Sequence, residues 1–193
     1  MKNQQNITRK YQIGYMLGRH GISILLCLTI QVIGIMRIYQ FDFMRIIFAI
    51  LFAFLHFYIL CNGAKTLANG DLQSYNVLDY NIKWSVLWGV LISLISLLFV
   101  ILYNLNWKFF SNGVVMNNSM SIVGNILFYV LESPYMAFMY GLDDPSRIPV
   151  YLTAIIGILP VAATVCGYYL GRNEYDIIEK FRKIMFEKSE DEE

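Results

Sequence analysis

Charged residues are scarce in this 193-residue sequence. Only 15% of the residues are Asp, Glu, Lys or Arg, 57% are hydrophobic and the mean hydropathy is +0.50, whereas average soluble domains carry about 25% charged residues. The net charge of +1 and the lack of a long basic run give no reason to expect nucleic acid as a partner. The composition therefore indicates one integral membrane domain, with the lipid bilayer as its surroundings.

Histidine and cysteine are scarce as well. The only histidines are His20 and His56, and the three cysteines, Cys27, Cys61 and Cys166, have no C-x-x-C spacing. A structural zinc site needs about four ligands close together, so the sequence predicts no metal, no other cofactor, and buried free thiols. Phosphate-binding glycine loops, H-E-x-x-H, G-x-S-x-G and kinase motifs are missing too. We therefore expect no enzymatic activity and no catalytic residue.

Four apolar runs approach the length of about 20 residues that a membrane-spanning helix needs. They lie at about 21–36, 43–61, 84–103 and 150–170. The polar segment 62–83 contains Asn62-Gly63 and Asn69-Gly70, which are typical turn dipeptides. Apolar residues recur at helical spacing near the C-terminus. We therefore predict a single membrane domain at 1–171 and a cytosolic amphipathic helix with an acidic tail at 172–193.

A further apolar segment at 121–142 contains Glu132 followed by Ser133-Pro134. If it does not cross the membrane, eleven Lys and Arg residues lie on one side and four on the other; if it crosses, the split is seven against eight. Because cytoplasmic loops carry the excess of Lys and Arg, the first arrangement is favoured. The predicted fold is an all-α membrane protein with four spans and both termini cytoplasmic. Since the residue before proline avoids the helical region, 121–142 is predicted to form an outer interfacial or re-entrant helical hairpin, with Glu132 near the interface.

The candidate binding residues are polar side chains in or beside the apolar runs: Glu132, Asp42, Arg45 and His56. A carboxylate at membrane depth is costly and often marks an ion or proton pathway, although an interfacial carboxylate is the simpler interpretation of Glu132. Asp42 and Arg45 either line a polar entrance or are a helix-start carboxylate and a snorkelling arginine. His56 either titrates near neutral pH or donates a hydrogen bond between helices.

Small residues spaced by four predict close helix packing. Ala163, Gly167 and Gly171 have this spacing in the last apolar run, and Gly89 and Ser93 have it in the third. The pattern indicates a tight bundle, a homo-oligomer or a membrane-protein partner, and it carries no chemistry of its own.

The segment Gly167-Tyr168-Tyr169-Leu170-Gly171, followed by a lysine-bearing amphipathic stretch, resembles the ending of a group of small multi-span membrane proteins of clostridia and related low-GC Gram-positive bacteria. The layout is also similar, with a basic N-terminus, about four spans and a polar loop before a long third span. The resemblance implies a location in the cell membrane.

The small-residue faces and the amphipathic tail favour a non-enzymatic accessory or structural membrane protein that acts through helix–helix or lipid interactions. One alternative is a small transporter or transport-complex subunit, with Gln31 and Asn125 joining the candidate binding residues around Glu132. A second alternative is a bacteriocin-immunity or stress-response membrane protein, for which the sequence has no distinguishing feature.

Overall fold

The computed structural model describes residues 9–38, 42–72, 80–111, 129–139, 148 and 150–190. These residues include five helices with defined bounds, a helical turn at 129–131 and a 3-10 turn, and no strand occurs in the described ranges. The helices are α1 (Arg9–Ile38), α2 (Asp42–Asp71), α3 (Ile82–Ser111), α4 (Met136–Met139) and α5 (Val150–Glu190), and the 3-10 turn is Ser133–Tyr135.

Four of the helices are long and apolar enough to cross a membrane. The qualifying stretches are Arg9–Val32, Phe43–Asp71, Ile82–Tyr103 and Val150–Glu174. Large apolar side chains are exposed along the outside of the bundle, among them Val32, Phe43, Phe54 and Ile158. Exposed apolar surface on this scale is typical of contact with lipid. The prediction of an all-helical protein is confirmed for the described residues, as is the prediction of four helices able to span a membrane.

Two helices extend beyond the predicted apolar runs. α1 begins at Arg9 rather than near residue 21, and α2 continues to Asp71 through both predicted turn dipeptides. A side chain at Gly63 would begin 3.0 Å from the Cγ atom of Arg19 and 3.3 Å from the sulfur of Met16. The glycine therefore permits close contact between α1 and α2, and the expectation of a turn at this position is wrong.

The last span and the predicted amphipathic segment form one continuous helix. α5 runs from Val150 to Glu190 and passes through Pro160 without a break. The hydroxyl of Thr164 donates a 3.0 Å hydrogen bond to the carbonyl of Pro160. The proline leaves the carbonyl of Ile156 without its helical N–H partner, and Ser93 of α3 donates to the adjacent carbonyl of Gly157 at 2.7 Å. Contacts from neighbouring helices help to make proline tolerable in membrane helices.

Contacts at Asp71 define one end of the bundle. Asp71, the last residue of α2, binds Arg9 at the start of α1 and Tyr168 near the middle of α5. Lys65 pairs with Glu174 in the same region. We call this the N-terminal end and the opposite end the far end. The four long helices therefore run alternately up and down, which places the start of α1 and the 171–174 part of α5 at the same end.

α5 packs most closely against its neighbours where it carries small residues. A side chain at Gly167 would overlap the backbone of Cys61 in α2, and one at Gly89 in α3 would begin 2.5 Å from the Cα atom of Val161 in α5. Similar contacts are formed by Gly171 with Ala68 and Lys65, by Ser93 with the carbonyl of Gly157, and by the fully buried Ala163. Close approach at small residues is a recurring way in which helices associate in membranes.

Candidate functional site

Glu132 is buried in the bundle interior, with 1% of its surface exposed. It follows a helical turn that ends at residue 131, and its carbonyl accepts a hydrogen bond from the backbone N–H of Tyr135 at 2.8 Å. No hydrogen bond of good geometry reaches either carboxyl oxygen within the described part of the chain, and the hydroxyl of Ser96, which lies close to the carboxyl group, forms none either. Burial raises the pKa of Glu132 far above its usual range, and proximity of the Ser96 hydroxyl only partly opposes this effect.

The 3-10 turn after Glu132 is fixed to α1 by side-chain hydrogen bonds. Gln31 donates from Nε2 to the carbonyl of Ser133 at 2.6 Å, and the hydroxyl of Ser133 donates to the carbonyl of Ile24 at 2.9 Å. Pro134 is buried beside them and has no N–H that would need a partner. The Ser-Pro sequence therefore lets the helical backbone break in an interior where unpaired backbone groups are costly.

Two histidines lie beside the turn. The ring of His56 is 5.2 Å from that of His20 and 5.6 Å from that of Tyr135, centroid to centroid and edge-on in both cases. Nδ1 of His56 is 2.6 Å from the hydroxyl oxygen of Ser23. The sequence singled out His56 alone, whereas the fold adds a second imidazole from α1.

The hydrogen bonds of Ser23 assign the tautomer of His56. The hydroxyl of Ser23 donates to the carbonyl of His20 at 2.8 Å. Because a hydroxyl group has a single hydrogen, its oxygen is then the acceptor for His56, and Nδ1 of His56 carries the donated hydrogen. Nε2 of His56 keeps a lone pair, and it has no partner among the described residues.

The turn reaches the middle of the bundle. Tyr129 lies beside Tyr103 towards the far end of α3, and Glu132 lies beside Ser96, about two turns deeper. After the turn, Ala137 packs with a cluster of residues that again lies towards the far end: Cys27, Ala49 and Phe52. The turn is buried against α1, α2 and α3, so Glu132 is enclosed by protein. The interfacial position that the sequence favoured concerns the depth in the membrane and stays a prediction.

A second polar cluster lies at the N-terminal end. The side chain of Asp71 has no exposed surface and accepts hydrogen bonds from Arg9 (2.8 Å), Gln12 (2.6 Å) and the hydroxyl of Tyr168 (2.7 Å). Tyr168 also accepts a 3.2 Å bond from the backbone of Asn81 and stacks on Tyr80 at 4.5 Å. Every carboxyl oxygen is thus paired, as a buried carboxylate requires, and the cluster joins α1, α2 and α5.

An apolar layer separates the two polar clusters. Gln12, Met16 and His20 follow each other at intervals of four on the buried face of α1, so Met16 lies between the Asp71 cluster and the histidines. Met16 packs with Trp88 and other buried apolar residues of α2, α3 and α5. The polar interior around Glu132 is therefore closed towards the N-terminal end.

The other predicted site residues lie elsewhere. Asp42 begins α2 and Arg45 is half-buried in its first turn. Arg45 precedes His56 by eleven residues, about 16 Å along the helix, so it does not belong to the same layer. Asn125 lies outside the described residues. No group of three or more His, Cys, Asp or Glu side chains that could hold a metal ion occurs in the part of the chain that the structure describes.

Sequence reasoning missed several residues of both clusters: Ser23, His20, Ser96 and Tyr135 in the interior, and Arg9, Gln12, Asp71 and Tyr168 at the N-terminal end. These residues are far in sequence from the residues that they bind. Tyr168 is 97 residues from Asp71, and Arg9 is 62 residues from it. One signal was available in the sequence. Gln12, His20 and Gln31 are polar residues of α1, and a polar side chain that becomes buried needs a hydrogen-bond partner.

Comparison of the chain with protein-family models, curated proteins and solved structures gives no match. The function is therefore argued from the geometry alone.

Proposed function

We propose that the protein is a small transporter or a transport-complex subunit of the cell membrane, and that Glu132 binds its substrate or coupling ion. The observation that carries the proposal is the buried carboxyl group at a break in the helical backbone, with neither oxygen paired within the described residues. Ionisable residues inside membrane proteins are costly and usually functional.

The position of the break supports this proposal over a purely structural role. In transporters, substrate and ion sites lie near the middle of the membrane and are formed by discontinuous helices. We propose that the segment 129–139 forms a re-entrant hairpin of this kind. Its 3-10 turn lies beside His56, close to the centre of α2. Non-helical backbone at this depth is tolerated where it is buried in protein or lines a cavity.

The accessory role that the sequence favoured rested on small-residue faces that would bind partner helices and on the amphipathic tail. The small-residue faces are used within the chain, since Gly167 and Gly171 contact α2 and Gly89 contacts α5. These residues are occupied by packing within the chain. The proposal therefore stays non-enzymatic but moves the function from the helix surfaces to the interior.

The orientation follows from the charge distribution. Eleven of the fifteen Lys and Arg residues fall on the N-terminal side in the four-span arrangement, so we place that end in the cytoplasm. The C-terminal part of α5, with residues 172–193 as an amphipathic cytosolic extension, would then leave the membrane on the inside, and the hairpin would enter from the outside.

The test is ion movement across a reconstituted membrane. Full-length protein in liposomes is adsorbed on a solid-supported membrane, and transient currents are recorded after concentration jumps of H⁺, Na⁺ or K⁺. We expect a current with one of these ions that is lost in Glu132→Gln. Glu174→Gln makes the same chemical change at an exposed carboxylate and is expected to retain the current. If wild type and Glu132→Gln give equal signals with all three ions, the proposal is overturned.

A further inference from the structure

Buried polar atoms without hydrogen-bond partners are concentrated in the layer around Glu132. Within the described residues six of the eight such atoms belong to this layer: both carboxyl oxygens of Glu132, Oγ of Ser96, the hydroxyl of Tyr135, Nε2 of His56 and Nδ1 of His20. The other two are Oδ1 of Asn69 and Nε1 of Trp88. Each of the side chains in the layer is more than nine-tenths buried. Native interiors leave few such groups unpaired, and a cluster of them indicates a bound ion or ordered water.

These groups adjoin one another in a series across four elements of the fold, although no hydrogen bond joins Glu132, Tyr135 and His56 directly. Ser96 of α3 is beside Glu132, Tyr135 interacts with Glu132 and lies edge-on to His56 of α2, and His56 lies edge-on to His20 of α1. His56 presents a lone pair at Nε2, because its Nδ1–H is given to Ser23. The series therefore contains a carboxyl group at one end, a hydroxyl in the middle and a proton acceptor beyond it.

The chemistry of the series favours a proton as the ligand. The titratable side chains of this layer surround Tyr135, which interacts with Glu132: Cys27 on α1 and His56 on α2 lie beside it, and Tyr103 on α3 belongs to the same packed cluster. His20 on α1 lies next to His56. A divalent metal would need several carboxylate, thiolate or imidazole ligands together, and no such group of three occurs in the described ranges. Carboxyl, phenol and imidazole groups share instead the ability to exchange a proton.

We propose that this layer binds a proton at Glu132 and passes it through Tyr135 to Nε2 of His56. The O–H bond of the Glu132 carboxyl breaks as the hydroxyl oxygen of Tyr135 accepts its proton, and the hydrogen that this hydroxyl carried bonds to Nε2. The products are a carboxylate and an imidazolium, so charge and atoms balance. His20 is the next group towards the apolar layer at Met16. This inference rests on the proposed function, because it names the ion for the same site.

The experiment measures proton movement and proton binding separately. Full-length protein is reconstituted in liposomes that contain a pH-sensitive dye, and a potassium diffusion potential set with valinomycin drives proton uptake. Infrared difference spectra of the same protein between acid and alkaline pH report the carbonyl band of a protonated, buried carboxylic acid. The variants are Glu132→Gln, Tyr135→Phe, His56→Asn and the control Glu174→Gln.

The conservative variants keep the proposal testable if Glu132→Gln does not fold. Tyr135→Phe retains the ring and removes the hydroxyl. His56→Asn places an amide near the position of Nδ1, so the donor to Ser23 is kept while the acceptor at Nε2 is removed. We expect each to lower dye-reported uptake by about a hundredfold, the low end of what a positioned proton-transfer group contributes. Wild type and Glu174→Gln are expected to take up protons equally.

The outcomes separate this inference from the proposed function. A carboxylic-acid band that disappears in Glu132→Gln, together with proton uptake that depends on Tyr135 and His56, supports the relay. A Glu132-dependent Na⁺ or K⁺ current without proton uptake overturns the relay and leaves transport standing. Equal proton uptake in Tyr135→Phe, His56→Asn and wild type also overturns the relay. A titrating band without movement of any ion overturns both.

Discussion

Gln31 donates a 2.6 Å hydrogen bond to the backbone carbonyl of Ser133, although 102 residues separate the two in the sequence. Both groups are buried. The bond holds the 3-10 turn that follows Glu132 against α1. Replacing Gln31 by Leu removes the donor and leaves a buried carbonyl unpaired. We expect a loss of about 1–3 kcal/mol in the free energy of unfolding, measured by denaturation in detergent.

Thr29→Val is the matched control for this prediction. Thr29 is exposed on the same helix, and its hydroxyl bonds only the carbonyl of Leu25 within the described contacts. Its replacement is expected to change stability little. Equal stability of Gln31→Leu and Thr29→Val would show that the turn does not depend on Gln31.

Gly167→Ala should destabilise the contact between α2 and α5. The added methyl group would overlap the backbone around Cys61, which has no flexible side chain that could move away. Overpacking of this kind costs about 1–3 kcal/mol. Gly18→Ala in α1 meets nothing within 4 Å and is expected to have a neutral or slightly stabilising effect. Thermal unfolding in the same detergent compares the two, and a smaller effect at Gly167 than at Gly18 would contradict the packing.

Stability should fall as pH rises above the ordinary pKa of a glutamate, near 4.5. Burial raises the pKa of Glu132 in the folded state, so between the two pKa values the folded protein holds a proton that the unfolded chain has released. Below the pKa of the unfolded chain, Glu132 makes its full contribution to the free energy of unfolding. Above it, this contribution decreases by about 1.4 kcal/mol per pH unit until the pH passes the pKa of the folded state.

Glu132→Gln should remove this dependence, because an amide does not titrate in that range. The measurement is the midpoint of thermal unfolding of the variant and of wild type from about pH 4 upward. Steps of ~1 pH unit are fine enough to resolve such a slope. Parallel curves for the two proteins would mean that Glu132 is solvated or paired in the folded state.

Asp71→Asn should weaken the N-terminal end of the bundle. The change removes the charge that binds Arg9, and a hydrogen bond to a charged group contributes about 1.5–3 kcal/mol. Glu174→Gln breaks the exposed pair with Lys65, and an exposed pair contributes about 0–1 kcal/mol. Denaturant titration of both variants gives the comparison, and an effect of Glu174→Gln as large as that of Asp71→Asn would contradict the structural role of Asp71.

The proposed orientation predicts a labelling pattern in intact cells. In a background without native cysteines, single cysteines at Ser111 and Ser146 are expected to react with a membrane-impermeant maleimide. Single cysteines at Lys10 and Ser189 are expected to react only after the membrane is opened. If the accessible pair is Lys10 and Ser189, the orientation is inverted; if Lys10 and Ser189 differ from each other, the four-span arrangement is wrong.

The sequence was sufficient to predict an all-helical chain with four helices that are long and apolar enough to cross a membrane. Long apolar runs are a local property, and the cost of exposing peptide groups to lipid favours a helix in each of them. The small residues at intervals of four, such as Gly167 and Gly171, also indicated close helix packing. Their partners in α2 could not be predicted, because a packing motif does not specify which helix it contacts.

The functional interpretation changed because tertiary structure decides the surroundings of a side chain. From the sequence, Glu132 is a carboxylate beside a Ser-Pro break, and an interfacial position has the lower cost. In the fold, the bonds from Gln31 and to Ile24 draw the break inward and surround the carboxylate with α1, α2 and α3. Hydrogen bonds that span about a hundred residues leave no periodic signal in a sequence, and they determine whether a polar group is solvated or buried.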